Sequence, residues 1–181
     1  RFDGHGMFGQ DVSGYLVNNL PQNLNNCLIK LKITELTNAK FDELSRITSQ
    51  IFVTTDHNLA NDDRVDSTCS GSTCSTLIYT PERLISANVG DSRCVLGKFD
   101  GKNWKAKNLT RDQKPNEEDE KKRIIEKGGR IEAYKDEEGD FVGPERVWLK
   151  GEDVPGLAMS RSFGDDIAHT VGVVSQPEIF E

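Results

Sequence analysis

Residues 74–109 narrow the fold more than any other part of the sequence. A short apolar run at 74–80 meets the turn Pro81-Glu82, and a second run follows at 83–89. Gly90-Asp91-Ser92 turns back into 93–99, and Asp100-Gly101, a strong hairpin dipeptide, leads into a returning strand at 104–109. Strands joined by connections this short pair antiparallel, because a parallel pair needs a crossover of a dozen or more residues. An antiparallel sheet of three or four successive strands is therefore expected here.

Ahead of these strands the periodicity is helical. Val12, Tyr15, Leu16 and Leu20 recur at three- and four-residue intervals, which predicts a helix over 8–20 stopped by Pro21. Residues 24–36 are ambiguous, with Leu28, Ile29, Leu31 and Ile33 allowing a second helix and then a looser connection. Over 40–59 the stripe Phe41, Leu44, Ile47, Ile51, Phe52, Thr55 and Leu59 predicts a long helix with one core face. Helices placed before strands, without regular alternation, indicate an α+β layered fold.

Beyond the hairpins, Asn116 is a candidate helix cap, with Glu117, Glu118, Asp119 and Glu120 in the first turn and Lys121, Lys122, Arg123 and Lys127 after them. That charge order complements the helix dipole, Gly128-Gly129 terminates it, and the charge run reads as a solvated face. A strand is expected at 130–134, then an irregular stretch over 135–155 of the kind that forms lids or insertions. The acidic cluster at 136–140 lacks the ligand spacing of a calcium loop. A last strand is expected at 171–174.

With 181 residues, 35% hydrophobic and 29% charged, the chain can bury one ordinary core in a single domain or most of one. Thirty acidic against 23 basic residues give a net charge of -7, so no basic field attracts nucleic acid or an anionic membrane surface. No apolar run is long enough to span a bilayer and no signal peptide is visible, which points to an intracellular, cytoplasmic or nuclear, protein. Cys27, Cys69, Cys74 and Cys94 lack C-x-x-C spacing and read as reduced, mostly buried packing residues.

The chemistry-bearing stretch is Phe2-Asp3-Gly4-His5-Gly6. It reads as the exit of a strand that delivers a carboxylate, a bare backbone and an imidazole to one turn. Asp3 offers hard oxygen donors suited to Mg²⁺ or Mn²⁺, and Gly4 lets a carbonyl approach closely. His5, with an unperturbed pKa of roughly 6.5, can work as an acid or base near neutrality. On its own the string is also compatible with a capped turn and a solvated histidine. Gly4, Gly6 and Gly9 satisfy the dinucleotide pattern G-x-G-x-x-G, but Asp3 beside the first glycine would repel a pyrophosphate.

The string joins an ordered set. Ser70-Gly71-Ser72-Thr73, Asn88-Val89-Gly90-Asp91-Ser92-Arg93, Lys114-Pro115, the glycine pair after the 117–127 helix, Leu157-Ala158-Met159-Ser160-Arg161-Ser162-Phe163-Gly164-Asp165 and Pro177-Glu178-Ile179 follow in sequence. Together they resemble the metal-dependent, type 2C protein serine/threonine phosphatases over nearly the whole chain. The resemblance implies two antiparallel β-sheets packed face to face with helices outside, and a binuclear Mg²⁺/Mn²⁺ centre with a third, weaker cation site. By position Asp3 matches the carboxylate bridging both metals, Gly4 a carbonyl ligand, and His5 the general acid. Thr73 matches a hydroxyl near the metal waters, Asp91 the ligand of the third metal, and Arg161 an arginine near docked substrate beside a flap spanning 130–156. The implied substrates are phosphoproteins.

Alone, Asp91 could close a hairpin, Thr73 could be a strand-entry hydroxyl, and Arg161 could pair with Asp165 or Asp166 at the surface. His57 and His169 have no matching role. Family residues expected before Arg1 and after Glu181 are missing, so the fold is expected to be incomplete at both ends, the 181 residues inactive or nearly so, and the sheet edges open to self-association. Gln113 stands where a histidine often precedes Lys-Pro, and Met7 where many members carry glycine. The rival readings are a catalytically dead pseudophosphatase that binds a partner, and the dinucleotide module.

Overall fold

The computed structural model describes residues 1–30 and 41–181. A short strand β1 (Phe2–His5) runs directly into helix α1 (Gly9–Lys30), and α2 (Phe41–Ala60) packs against α1. Then come β2 (Gly71–Tyr79), β3 (Leu84–Val89), β4 (Val95–Phe99), β5 (Trp104–Asn108) and helix α3 (Glu118–Glu126). The remainder comprises β6 (Arg130–Lys135), β7 (Phe141–Trp148), β8 (Pro155–Leu157), β9 (Phe163–Gly164), the single turn α4 (Asp166–His169) and β10 (Glu178–Phe180).

The strands pair antiparallel, but the single sheet of three or four successive strands expected over 74–109 divides. β2–β3 and β4–β5 belong to different sheets, and β3 pairs with β10 where β4 was expected, so the 90–92 turn is not a hairpin. β1, β2, β3 and β10 lie side by side in that order with β9 also paired to β2, while β4–β5 and β6–β7–β8 make smaller sheets. This is the expected α+β class, helices flanking antiparallel sheets. Val12, Leu16 and Leu20 of α1 and Ile47, Ile51, Phe52 and Leu59 of α2 bury against Cys74, Ala87, Val89 and Phe163 of the main sheet. The Phe52 and Phe163 rings sit 5.4 Å apart within this core. A second core gathers Ile124, Val147, Leu157, Met159, Ala168, Val171 and Val173 between α3 and the β6–β7–β8 sheet.

Several sequence expectations need correction. Pro21 does not stop α1, which continues to Lys30. The missing N–H and the ring clash cost a helix about 3 kcal/mol, yet the buried stripe carries on past the proline through Leu24 and Cys27, which pack on the first core. Residues 31–36 of the ambiguous stretch lie outside the described residues. Asn116 does not cap α3: Glu117 holds that position, with no side-chain cap bond.

The stretch after 135 is also more ordered than its composition suggests. Its charges and glycines occupy a β6–β7 ribbon, whose register shifts between Ala133 and Tyr134 where Gly143-Pro144 is inserted opposite. The expected strand at 171–174 is reduced to one bridge between Arg161 and Val174, and β10 takes the sheet-edge position instead. Cys74 is buried, and burial pushes its thiol up to about 11, so it is an inert packing group. Cys69, by contrast, is exposed.

Candidate functional site

Two rows of residues across the main sheet build the site. In the first, Asp3 of β1 stands directly opposite Thr73 of β2. Opposite residues in an antiparallel pair share a face. Cys74 is paired with Val89, so the chain leaving β3 at Gly90 runs beside Thr73. A Cβ on Gly90, whose φ is +97°, would come within 2.8 Å of the Thr73 methyl. Thr73 Oγ1 also lies 2.7 Å from Ser92 Oγ. The turn holding Asp91 is thus fastened to the strand that faces Asp3, and both carboxylates lie at one end of the sheet with β2 between them.

Gln113 fixes that turn from below. Fully buried, its Oε1 accepts the Gly90 N–H at 2.7 Å and its Nε2 donates to the Asn88 carbonyl at 3.1 Å. The amide supplies one acceptor and two donors, which suits two backbone groups of opposite polarity.

In the second row His5 stands opposite Gly71, and Gly71 stands opposite Gly164 of β9. The residue after Gly164 is Asp165, and its Oδ2 lies 2.6 Å from His5 Nε2. The carboxylate reaches the imidazole across bare backbone: a Cβ on Gly71 would sit 2.2 Å from that same oxygen. Asp165 is 2% exposed and holds a left-handed backbone, φ 52°, tied by its N–H to the Ser70 carbonyl at 2.9 Å. His5 Nδ1 is enclosed and has no hydrogen-bond partner among the described residues.

The three glycines of the G-x-G-x-x-G pattern serve close packing. A Cβ on Gly4 would fall 2.0 Å from the Gly9 carbonyl oxygen, so strand exit and helix entry touch backbone to backbone. The antiparallel pairing of β1 with β2 is not the parallel crossover of a dinucleotide fold.

Asp3 is exposed and makes no hydrogen bond or ion pair among the described residues. Asp91 is engaged by Lys114, whose Nζ donates to Oδ2 and also lies 3.4 Å from the Ala158 carbonyl. As cation donors, the free Asp3 carboxylate and the Gly4 carbonyl fit a hard divalent ion. They form only part of a donor set, since among the described residues no group of three or more ligating side chains comes together.

Arg161 makes no contact with Asp3, His5 or Asp91. Its Nε and Nη2 donate to the carboxylate of Glu120, Nε at 3.0 Å, and its Nη1 donates to the Gln176 carbonyl at 3.0 Å. Neither Asp165 nor Asp166 is its partner. Glu120, taken from the sequence as part of a solvated face, is 0% exposed and also accepts Arg123 Nη2 at 2.6 Å. Burial alone would raise its pKa, but the hydrogen bonds from Arg123 and Arg161 outweigh that and hold it at about 2. His169 Nε2 donates to the Ser162 carbonyl, 3.1 Å away, and its Nδ1 lies 3.5 Å from the buried Asp56 carboxylate.

Asp165 and Glu120 are the two site-building residues that sequence reasoning missed. A Gly-Asp dipeptide looks like a turn, and nothing local marks a partner 160 positions away.

The family model for protein phosphatase 2C matches residues 2–181. The chain belongs to the protein phosphatase 2C family. It is 36% identical to Probable protein phosphatase 2C 65 of Arabidopsis thaliana over 99% of its own length and 48% of the relative's. Against Probable protein phosphatase 2C 34 of the same plant it is 40% identical, over 98% of this chain and 51% of that one. It thus spans about half the length of the curated relatives it matches. Among solved structures, a serine-threonine phosphatase 2C from Toxoplasma gondii superposes with a TM-score of 0.69 at 20% identity, over 99% of this chain and 61% of that one. A C. elegans sex determining protein gives 0.70 at 21% identity, over 99% and 38%. These two likenesses concern the protein phosphatase 2C fold.

Proposed function

We propose that the protein hydrolyses phosphoserine and phosphothreonine esters of proteins, with Asp3 and the Gly4 carbonyl as donors to a Mg²⁺ or Mn²⁺ centre and His5 as proton donor. The supporting observation is the first row: Asp3 opposite Thr73, with the Gly90–Ser92 turn fastened to Thr73. When bound, the cations would supply a water of lowered pKa and charge neutralisation on the phosphoryl group. Thr73 would orient water near them through a hydroxyl already held by Ser92.

Asp91 would hold a further, weaker cation. Lys114 already balances that carboxylate, so a third ion there competes with an ammonium group. His5, protonated, would donate to the departing serine or threonine oxygen, a contribution on the order of 10² to 10⁴ in rate. Arg161 would reach substrate only by leaving Glu120, and the segment 130–156 beside it is the proposed flap.

With so few donors gathered among the described residues, the 181 residues alone are expected to bind cations weakly and turn over slowly. A second reading is a module that binds phosphoproteins without hydrolysing them, which metal ligands missing from the whole protein would favour. Release of phosphate from a phosphothreonine peptide by the whole protein, with and without Mn²⁺, decides between them. Asp3→Ala is expected to weaken Mn²⁺ binding and lower Mn²⁺-dependent turnover by at least about 10²-fold. Unchanged affinity and turnover in that variant would overturn the metal assignment, and peptide bound but never hydrolysed would select the second reading. Self-association would use the outer edges of β1 and β10, and light scattering reporting a monomer would exclude it.

A further inference from the structure

A pair of titratable side chains away from the candidate site joins the single turn α4 to helix α2. His169 Nε2 lies 3.1 Å from the Ser162 carbonyl, and its Nδ1 lies 3.5 Å from Asp56 Oδ2. A carbonyl oxygen only accepts, so Nε2 is the nitrogen that carries a proton. In the neutral ring Nδ1 is then a bare acceptor, and an ionised Asp56 sets a second acceptor against it. The contact attracts only when one proton is present, as imidazolium beside carboxylate or as carboxylic acid donating to imidazole.

The surroundings favour keeping that proton. Asp56 is 8% exposed, its Oδ1 accepts the Gly164 N–H at 2.8 Å, and Ser175 also hydrogen-bonds the carboxyl. Burial pushes the Asp56 carboxyl up and Asp166 of α4 adds to this, against the opposing effects of His169, the Gly164 N–H and Ser175. The other charged groups on the wall of the cleft are Arg123, Arg161 and Glu178. Both arginines are held by Glu120, and Glu178 by Arg111. Asp56 and His169 line this open cleft, so a proton can reach them from solvent without unfolding. Gly164 is followed by Asp165, which places the joint directly behind the second row of the candidate site.

We propose that Asp56 and His169 form a proton-held latch: one proton shared between Oδ2 and Nδ1 fastens α4 to α2, and α4 loosens when alkaline pH removes that proton to solvent. None of this rests on the phosphatase reading. The proton belongs to the pair and not to either residue alone. In the unfolded chain a histidine gives up its proton near pH 6.5, roughly, whereas the folded pair keeps it to higher pH. The stability supplied by the latch is therefore complete below about pH 6.5 and lost as pH rises through the release point of the pair.

Nuclear magnetic resonance of the protein labelled with ¹⁵N-histidine reads the proton. His169 Nε2 should stay protonated throughout, and the release seen at Nδ1 should move down by at least about one pH unit in Asp56→Asn. A bare Nε2, or a release point that Asp56→Asn leaves in place, would overturn the latch. Hydrogen exchange reads the fastening. The Val171 and Val173 N–H groups donate to the Ala168 carbonyl at the end of α4. Corrected for the intrinsic rate, their protection should fall about 10-fold for the first pH unit above the release point, the slope of one lost proton, while amides of α1 hold theirs. His169→Gln keeps a donor for the Ser162 carbonyl but carries no shared proton, and its α4 protection should be low and level with pH. Protection in the unaltered protein that stays flat with pH, or that falls equally in α1, would refute the proposal. Should His169→Gln fail to fold, the unaltered protein and Asp56→Asn decide it.

Discussion

At the scale of single residues, Glu120 shows how burial changes what a charge means. The side chain is fully buried, yet it stays ionised because Arg161 and Arg123 both donate to it. Removing one member of such a group leaves the others desolvated without a counter-charge, which costs about 3 to 5 kcal/mol. Glu120→Ala is therefore expected to lower stability by about that amount in urea unfolding at neutral pH, while an exposed acid of the same helix, Glu118, should change it by less than about 0.5 kcal/mol when replaced. Equal effects from the two would refute the ion-pair account. The first turn of α3 reads in sequence as four equivalent acids. Burial and the contacts with Arg123 and with Arg161, 41 positions on, separate the third of its helical residues from the rest.

At the scale of elements, what was legible followed local chemistry, and what was not followed neighbours. The glycine pair after α3 closes it as expected: Gly128, φ +86°, donates to the Ile125 carbonyl and Gly129 to that of Ile124, satisfying two end carbonyls. The β2–β3 and β4–β5 hairpins were legible because their turns are chemically marked, Asp100 Oδ1 accepting the N–H groups of both Lys102 and Asn103, whereas the 90–92 turn leads into a separate sheet because β10 takes the place beside β3. The β6–β7 ribbon was not, because the inserted Gly143-Pro144 breaks the two-residue period and its apolar side chains Tyr134, Phe141 and Val142 are exposed. Around the candidate site, the positions of Asp3, Gly4, Thr73 and Asp91 at strand ends and turns could be read from their strings. Asp165 could not, because its role depends on a row crossing three strands. α1 gives the sharpest test of tertiary packing overriding local preference. Pro21 is exposed, so Pro21→Ala loses no core contact, restores a helical N–H, and should raise stability by about 1 to 3 kcal/mol. No rise in the thermal midpoint would mean that α1 already bends to absorb the proline.

At the scale of the whole molecule, Glu120 ties α3 to the segment carrying Ser160, Arg161 and Val174, and so joins the second core to the main sheet. Its folded pKa, about 2, lies below the ordinary 4.5 of the unfolded chain. The unfolded state therefore takes up a proton first as pH falls. The stability Glu120 contributes is whole above about pH 4.5 and drains away toward about pH 2, an amount on the order of 3 kcal/mol. Asp56 acts in the opposite sense. Burial raises its pKa despite the opposing effects of His169 and the Gly164 N–H, so the folded state binds that proton more readily, and acid favours folding at this site. The two tryptophans separate the regions: Trp148, 8% exposed, belongs to β7 beside the second core, whereas Trp104 is 74% exposed. On acidification from pH 5 to 2, Trp148 emission should shift to the red in the unaltered protein. Glu120→Gln, less stable at neutrality, should show a flatter dependence over that window, and Asp56→Asn a steeper one, since it removes the only acid-stabilised group of the pair. A Glu120→Gln protein whose unfolding still tracks pH as steeply as the original would place the acid-sensitive joint elsewhere than at the contact between α3 and Arg161.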